Sequence, residues 1–358
     1  MRIFCDLHHS DLYYSLHLLF EKRLGHELYR PIGMDWFDNG FWSIGDPYPD
    51  PRDTAGQYLG SDPSLIKNEL NREFFANKKV QCVNDVRMCY DEPRDFTHRA
   101  ITFETFKNTH FDIVMSTYPS HDVTYARLIK LHKPNARHIH QMGNTQSGPT
   151  DVLNIMYSLH PSTAPNFKPI QHIVYYTQEF PLDIFKYVPP PEKKRICNFV
   201  HIHPRRELFD KYKAALPEFE FRSHGIANEH GAIPLKAVAE TMQKSTFGWH
   251  VKPLAVPPGG GHCFNNWVAS GRPIITCATG EQGALQGRPH QLVSPLIPDE
   301  TMIDLNAHTF EENVRLIRES SEPERLKQMC ERMHELSKSY LNFDEDARRV
   351  RAFMDVLK

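Results

Sequence analysis

Two apolar patterns alternate along the chain: short continuous runs, and longer stretches in which apolar residues return every three or four positions. The runs predict buried strands and the stretches predict amphipathic helices. Arg2–Leu7 is the first run. Directly after it, Ser10 or Asp11 is placed to cap a helix carrying Leu12, Leu16, Leu19, Phe20 and Leu24 on one face, with Gly25 at its end. A strand that feeds straight into such a helix predicts an α/β domain with a parallel sheet. Phe111–Ser116, His138–Met142 and His172–Tyr176 predict further strands, and Tyr125–Leu131 a helix. The rhythm is cleaner in the second half. Arg195–Ile202, Phe219–Arg222, Thr246–Val251 and Pro273–Cys277 predict strands. Between them fall helices over Glu207–Leu216, from Pro234 through Met242, and over Cys263–Ser270, the last closed by Gly271. The tail predicts helices with faces formed by Phe310, Val314 and Ile317, by Leu326, Met329, Met333 and Leu336, and by Val350, Phe353 and Leu357.

Two stretches break the rhythm. Residues 31–64 are rich in Pro, Gly and Asp and have no sustained period, yet hold Trp36, Phe37, Phe41, Trp42 and Tyr48. Loops of such length are functional or disordered. The aromatics favour order, either packing the loop down or presenting it to an acceptor. Pro189-Pro190-Pro191, followed by Glu192-Lys193-Lys194, cannot continue a sheet or a helix and marks a linker. The expected organisation is a first domain over 1–188, the linker over 189–194, a second domain over 195–340, and a last helix over 341–358.

Composition narrows the class. A length of 358 residues fits two domains at roughly 150 residues each. Hydrophobic residues at 40% and charged ones at 24% exclude wholesale disorder. A formal charge of -2 gives no global basic field to draw the protein to nucleic acid, although a local basic groove stays open. No apolar stretch approaches the ~18 residues of a membrane-spanning helix. The opening MRIFCDLHHSD lacks the apolar core of a secretory signal. Seven cysteines without a C-x-x-C pair read as reduced thiols, so a cytoplasmic protein is expected.

The most informative chemistry lies in residues 245–276, which read strand, proline-bounded loop, three glycines, short helix, Gly-x-Pro, strand. Gly259, Gly260 and Gly261 stand directly before a helix N-terminus. Glycines let backbone approach a ligand closely, and the free N–H groups of a helix start attract anions, phosphate above all.

This ordered pattern resembles the donor-binding half of glycosyltransferases with the GT-B fold. The residues that carry the resemblance are Gly259–Gly261, the helix Cys263–Ser270, and Ala269-Ser270-Gly271-Arg272-Pro273 leading into the next strand. The resemblance implies two Rossmann-like domains facing a central cleft, the second holding a nucleotide-diphosphate sugar, and a helical C-terminal tail whose last helix crosses back to the first domain. Motif-level likeness is confined to residues 245–276, while the architecture matches throughout. A large retaining group of this fold carries a glutamate just before the glycines and a second farther along. Pro258 and Asn266 stand there instead. Asn266 still offers a hydrogen bond to a ribose hydroxyl, but Pro258 replaces no carboxylate, which counts against that group.

Other candidates sit where strands end. Arg205 and Arg206 follow the first strand of the second domain, and arginine forks match phosphate oxygens bidentately. The alternative is a solvated helix start, where Asp or Glu is normally preferred. His250 and Lys252 end another strand and are placed to neutralise a leaving group, unless Lys252 is a plain surface lysine. His262 and Cys263 open the helix after the glycines. Ser223-His224-Gly225, at the end of the next strand, is the candidate seat of the nucleobase, read by backbone amides and carbonyls. In the first domain, His8 and His9 leave the opening strand. Histidine titrates near neutrality and suits a general base, and Asp122 (with Asp6 and Asp11 nearer in sequence) is a candidate to orient it. Capping or packing is the plain alternative for either histidine.

Zinc is not expected. His138/His140, His201/His203 and Cys263 form neither H-E-x-x-H nor a cysteine pair. Nicotinamide dinucleotide binding is not expected either, because His8-His9-Ser10 stands where G-x-G-x-x-G would. The leading expectation is an enzyme, a glycosyltransferase with a nucleotide-sugar donor, no separate cofactor, and a hydroxyl acceptor. That acceptor is a small molecule, a glycan or a modified DNA base of the kind served by phage enzymes. A sugar-nucleotide epimerase of the same architecture and a non-catalytic nucleotide-sugar binding protein remain as alternatives.

Overall fold

The computed structural model describes residues 1–5, 10–31, 99–101, 103–116, 132–142, 154–158, 172–199, 205–225, 228–231, 233, 235–252, 261–278 and 295–357. The aromatic stretch beyond residue 31 and the expected helix Tyr125–Leu131 lie outside them. The chain divides into two compact units. The first comprises Met1–Ser158, Asn166–Glu179 and Asp344–Lys358, and the second Leu159–Pro165 and Phe180–Phe343.

Among the described residues the first unit is built on a parallel sheet of seven strands: β1 (Arg2–Cys5), β2 (Glu27–Pro31), β3 (Ala100–Ile101), β4 (Ile113–Ser116), β5 (Arg137–Met142), β6 (Asn154–Tyr157) and β7 (His172–Tyr175). Their order is β3-β2-β1-β4-β5-β6-β7, the doubly wound arrangement. β1 is an interior strand, with Cys5 paired to Met115 of β4 and Phe4 to Tyr29 of β2. Ile3, Phe4 and Cys5 are fully buried because both faces of a parallel sheet are covered, which is why this strand reads as a continuous apolar run. On one face Phe4 meets Phe106 of helix α2 (Phe103–Asn108) and Phe111, with ring centroids 4.7 and 5.6 Å away. Each such buried phenylalanine contributes about 2 kcal/mol. Helix α1 (Ser10–His17) continues into a wider π turn over Leu18–Arg23, closed by the Leu24 amide on the Leu19 carbonyl, and Gly25 follows at positive φ.

Among the described residues the second unit carries a five-stranded parallel sheet of β8 (Arg195–Asn198), β9 (Glu220–Ser223), β10 (Phe247–Trp249), β11 (Ile274–Thr276) and β12 (Met302–Asp304). The order is β12-β11-β10-β8-β9. Helices α3 (Arg206–Ala215), α4 (Leu235–Gln243), α5 (His262–Ala269), α6 (Phe310–Ser320) and α7 (Pro323–Tyr340) cover it. Successive strand residues serve opposite faces. Cys197, Ile274 and Met302 pack with Met242 of α4 and with Phe264 and Trp267 of α5. Ile196, Ile275 and Ile303 pack with Phe209 and Tyr212 of α3 and Ile317 of α6. Thr309 starts α6 with a reciprocal capping box to Glu312.

Helix α8 (Phe343–Val356) follows, and from Asp344 onward the chain belongs to the first unit. There the Asp346 carboxylate accepts from the Thr177 amide at 3.0 Å. Arg23 holds Glu179 at 2.7 Å and pairs with Asp344. The division at Glu179/Phe180 lies upstream of the expected linker. The reason is local: the carbonyls of Val188 and Pro189 accept hydrogen bonds from Arg272, which packs the start of the proline run into the second unit. No helix among the described residues is long and apolar enough to cross a membrane.

Candidate functional site

In the second sheet, the connection from β8 runs outward to β9, and the chain then returns to the other side of β8 to form β10. Strand order therefore reverses between β8 and β10. In open parallel sheets, ligands bind beyond the carboxyl ends of the strands at such a reversal. The residues leaving those ends are Phe199 after β8, His224 and Gly225 after β9, His250 to Lys252 after β10, and Cys277 and Ala278 after β11. Arg205 and the start of α5 join them from the segments that follow β8 and β10.

The two ends of α5 differ. Gly261 is the N-cap with φ 81° and ψ 158°, a backbone region open essentially to glycine. No side chain caps this end and no acidic residue occupies its first turn. The first amides of a helix have no intrahelical acceptor and carry the positive end of its dipole. Near them, the half-buried Lys252 ammonium is pushed by burial below the ordinary lysine value, with the Cys263 thiol pulling the other way. His250 is buried beside Phe264, ring centroids 5.7 Å apart, and its carbonyl accepts from Thr276 Oγ1 at 2.8 Å. His262, the first helical residue, sets its ring edge-on to Phe180 at 6.3 Å. Asn266 is buried, and its Oδ1 has no hydrogen-bond partner among the described residues.

The other end of α5 is locked. The Gly271 amide donates to Val268 and the Arg272 amide to Trp267, a Schellman closure with Gly271 at φ 64°. The Arg272 side chain is fully buried. Its Nη2 donates to the carbonyls of Val188, Pro189 and Gln243 at 3.0, 3.0 and 2.7 Å. Burial lowers its pKa, while Cys330 and Tyr187 oppose the shift. The Gly-x-Pro motif thus hides an arginine that is structural.

Arg205 and Arg206, adjacent in sequence, have separate fates. Arg206 is exposed and lies 3.6 Å from Asp210 one turn along α3, a surface helix pair. Arg205 is the N-cap of α3, and its Nη1 donates to Cys277 Sγ at 3.2 Å. Since β8 and β11 flank β10, this side chain spans the end of β10, where the strand order reverses. Arg205 makes no ion pair among the described residues.

The turn after β9 differs from the simplest expectation for base recognition. The amides of Ser223, His224 and Gly225 donate to His230 Nδ1, the Asn198 carbonyl and the Gly231 carbonyl respectively. Ser223 Oγ accepts from Asn198 Nδ2 at 2.9 Å. These amides are engaged internally and have no free hydrogen for a base edge. The imidazole of His224 remains: it is buried, and neither ring nitrogen has a hydrogen-bond partner among the described residues. It lies face-on to Phe199 with centroids 5.3 Å apart. Burial, reinforced by His230, lowers its pKa below the ordinary histidine value.

His8, His9, Asp6, Asp122, Pro258, Gly259 and Gly260 lie outside the described residues. Asp11 falls in α1. The strands that precede the two expected catalytic segments, β1 and β4, are paired neighbours, and the order of the first sheet reverses between them. Among the described residues no group of three or more His, Cys, Asp or Glu could hold a metal. Cys277 and the role of Arg272 are the two features that sequence reasoning missed. Its place as the last residue of the predicted strand Pro273–Cys277 was the only signal for Cys277.

No family model matches the chain, and no curated protein matches it in sequence. Solved structures do match its fold. HepE from Anabaena in complex with UDP-glucose is 9% identical, with a TM-score of 0.60 over 99% of each chain. Sucrose-phosphate synthase from Thermosynechococcus elongatus is 12% identical, with a TM-score of 0.58 over 99% of this chain and 98% of that one. A glycosyltransferase from Rickettsia africae is 10% identical, with a TM-score of 0.55 over 100% and 98%. The chain has the GT-B glycosyltransferase fold.

Proposed function

We propose that the protein is a glycosyltransferase that moves a sugar from a nucleotide-diphosphate sugar to an acceptor hydroxyl, inverting the anomeric centre. The carrying observation is topological: Arg205, which makes no ion pair among the described residues, Lys252, and the start of α5, which no side chain caps, all follow carboxyl ends of strands beside the strand-order reversal of a GT-B fold. Two cations and a helix start complement a diphosphate. His224, stacked on Phe199, is the described side chain best placed to meet the base, and Asn266 Oδ1 is open to a ribose hydroxyl.

In the reaction the acceptor oxygen bonds to the anomeric carbon as the bond to the diphosphate oxygen breaks. The nucleoside diphosphate leaves with the electron pair, and His8 or His9 takes the acceptor proton, oriented by Asp122. Arg205, Lys252 and the α5 amides stabilise the negative charge that grows on the leaving diphosphate. The free thiols among the described residues suit a reducing compartment such as the cytoplasm.

The HepE structure of the same fold holds UDP-glucose, which makes it the first donor to test. Thermal unfolding with UDP, GDP, ADP, dTDP and UDP-glucose is the direct experiment. A ligand at about 100 times its Kd adds roughly 2.7 kcal/mol. No shift with any of them sinks the proposal. Sugar-nucleotide turnover that needs no acceptor replaces it with an epimerase. Loss of turnover in His8→Ala or His9→Ala, with donor binding kept, identifies the base.

A further inference from the structure

We infer that Cys277 is a positioning residue that holds the Arg205 guanidinium across the end of β10 while leaving its positive charge available to a diphosphate. The inference rests on the donor-site reading above and names a residue outside it. Its geometry is one contact, Arg205 Nη1 to Cys277 Sγ at 3.2 Å, between the first residue after β11 and the N-cap of α3.

An arginine side chain is long and flexible, and holding one in place costs rotamer entropy. Most proteins fix it with a carboxylate. Arg206 shows that solution one residue away, paired to Asp210 on the surface of α3, with its charge partly answered there. Arg205 is fixed differently. A thiol sulfur accepts a weak hydrogen bond and, when neutral, brings no counter-charge. Burial pushes the Cys277 thiol up to about 11, Arg205 drawing it down and Asp304 adding to the rise, so it carries no charge at neutral pH. Asp304, the carboxylate that this thiol feels, has its Oδ1 held by the amides of Ala278 and Asn306 at 2.9 and 3.1 Å. With one hydrogen bond to sulfur and no ion pair among the described residues, the guanidinium keeps further N–H donors for phosphate oxygens.

Three substitutions test this: Cys277→Ser, which keeps a neutral acceptor, Cys277→Ala, which removes it, and Cys277→Asp, which adds a counter-charge. The readout is the ratio of affinities for UDP over UMP, and likewise GDP over GMP and ADP over AMP, measured calorimetrically on the full chain. Each variant's melting temperature is followed alongside. A folding defect weakens both members of a pair together, whereas a misplaced or quenched arginine weakens the diphosphate selectively. Expected is a ratio near wild type for Ser, about threefold lower for Ala and about tenfold lower for Asp, in line with one charge-assisted hydrogen bond. In an Arg205→Ala background the Cys277→Ala change should cost nothing further.

An unchanged ratio in all three variants, with a clear diphosphate preference in the wild type, overturns the role of Cys277 alone. Equal losses for Ser, Ala and Asp overturn it too, because shape would then matter and charge would not. A wild type that prefers no diphosphate over its monophosphate overturns both this inference and the donor-site reading.

Discussion

One short helix of the second unit shows two opposite ways to end. At its C-terminus, α5 closes on Gly271 with both Schellman hydrogen bonds, and Arg272 then ties the exit to three carbonyls from two distant segments. At its N-terminus, no side chain caps the helix, no acid occupies the first turn, and the half-buried Lys252 feels the Cys263 thiol. The contrast separates two tasks. The C-terminal exit is tied to distant carbonyls by a buried arginine, and the N-terminal entry carries no side-chain cap. A helix with both ends satisfied would be more stable and unable to bind an anion.

The largest effect is expected from breaking the locked end. Arg272→Met keeps length and volume but strips the hydrogen bonds from the carbonyls of Val188, Pro189 and Gln243 inside the core. Buried acceptors left without donors should lower unfolding free energy by about 3 kcal/mol, read by denaturant titration. A loss below about 1 kcal/mol would show that the arginine is not what holds this exit.

A matched pair of glycine substitutions comes next. At Gly271, φ is 64° and an added Cβ would clash with the Tyr187 ring, so Gly271→Ala meets both backbone strain and a packed side chain. It should cost about 2 kcal/mol of stability and leave nucleoside diphosphate affinity unchanged. Gly261→Ala also demands an unfavourable backbone, but at an end that makes no capping contact. Expected there is a stability loss of about 1–3 kcal/mol accompanied, unlike at Gly271, by about a tenfold loss of UDP affinity. Two substitutions with the same balance of effects would dissolve the distinction between the ends.

These same features show what the sequence discloses. Strands such as Ile274–Thr276 were legible because both faces are buried, which produces an unbroken apolar run. Ala100–Ile101 and Met302–Asp304 were not, because two or three residues carry no period, and Asn154–Tyr157 opens on a polar residue. The π turn after α1 leaves the apolar spacing of Leu12 to Leu24 unaltered and so has no sequence signal. Arg205, His250 and Lys252, expected at strand exits, follow β8 and β10 in the second unit, where topology alone brings such positions to the carboxyl ends of the strands. Partners were not legible. The carbonyls bound by Arg272 are far away in sequence, and so is Cys277 from Arg205. The Arg206–Asp210 pair was the exception, one helical turn apart and readable in advance. At Ser223–Gly225, expected to read a base through backbone amides and carbonyls, the amides are engaged within the protein because the turn closes on His230 and Gly231, a closure with no sequence signal.

The smallest effect concerns the open end and has a sign that distinguishes binding from folding. Burial holds the Lys252 pKa below its ordinary 10.5. Without ligand, the native lysine turns neutral at a lower pH than the unfolded one, so the unfolded chain binds more protons between the lowered value and 10.5. Stability of the free protein therefore rises with pH across that window. Diphosphate binding needs the cation and must fall across the same window, by about tenfold if one charge-assisted contact is lost. Lys252→Arg keeps a charge that does not titrate there and should abolish both slopes, giving a flat affinity and a flat contribution to stability. Calorimetry with UDP and denaturant titrations at matched alkaline pH values measure the two slopes independently. If both fell together in the wild type, simple alkaline unfolding would account for them. Opposed slopes that vanish together in Lys252→Arg require that one buried amine serve the ligand at a cost to the empty site.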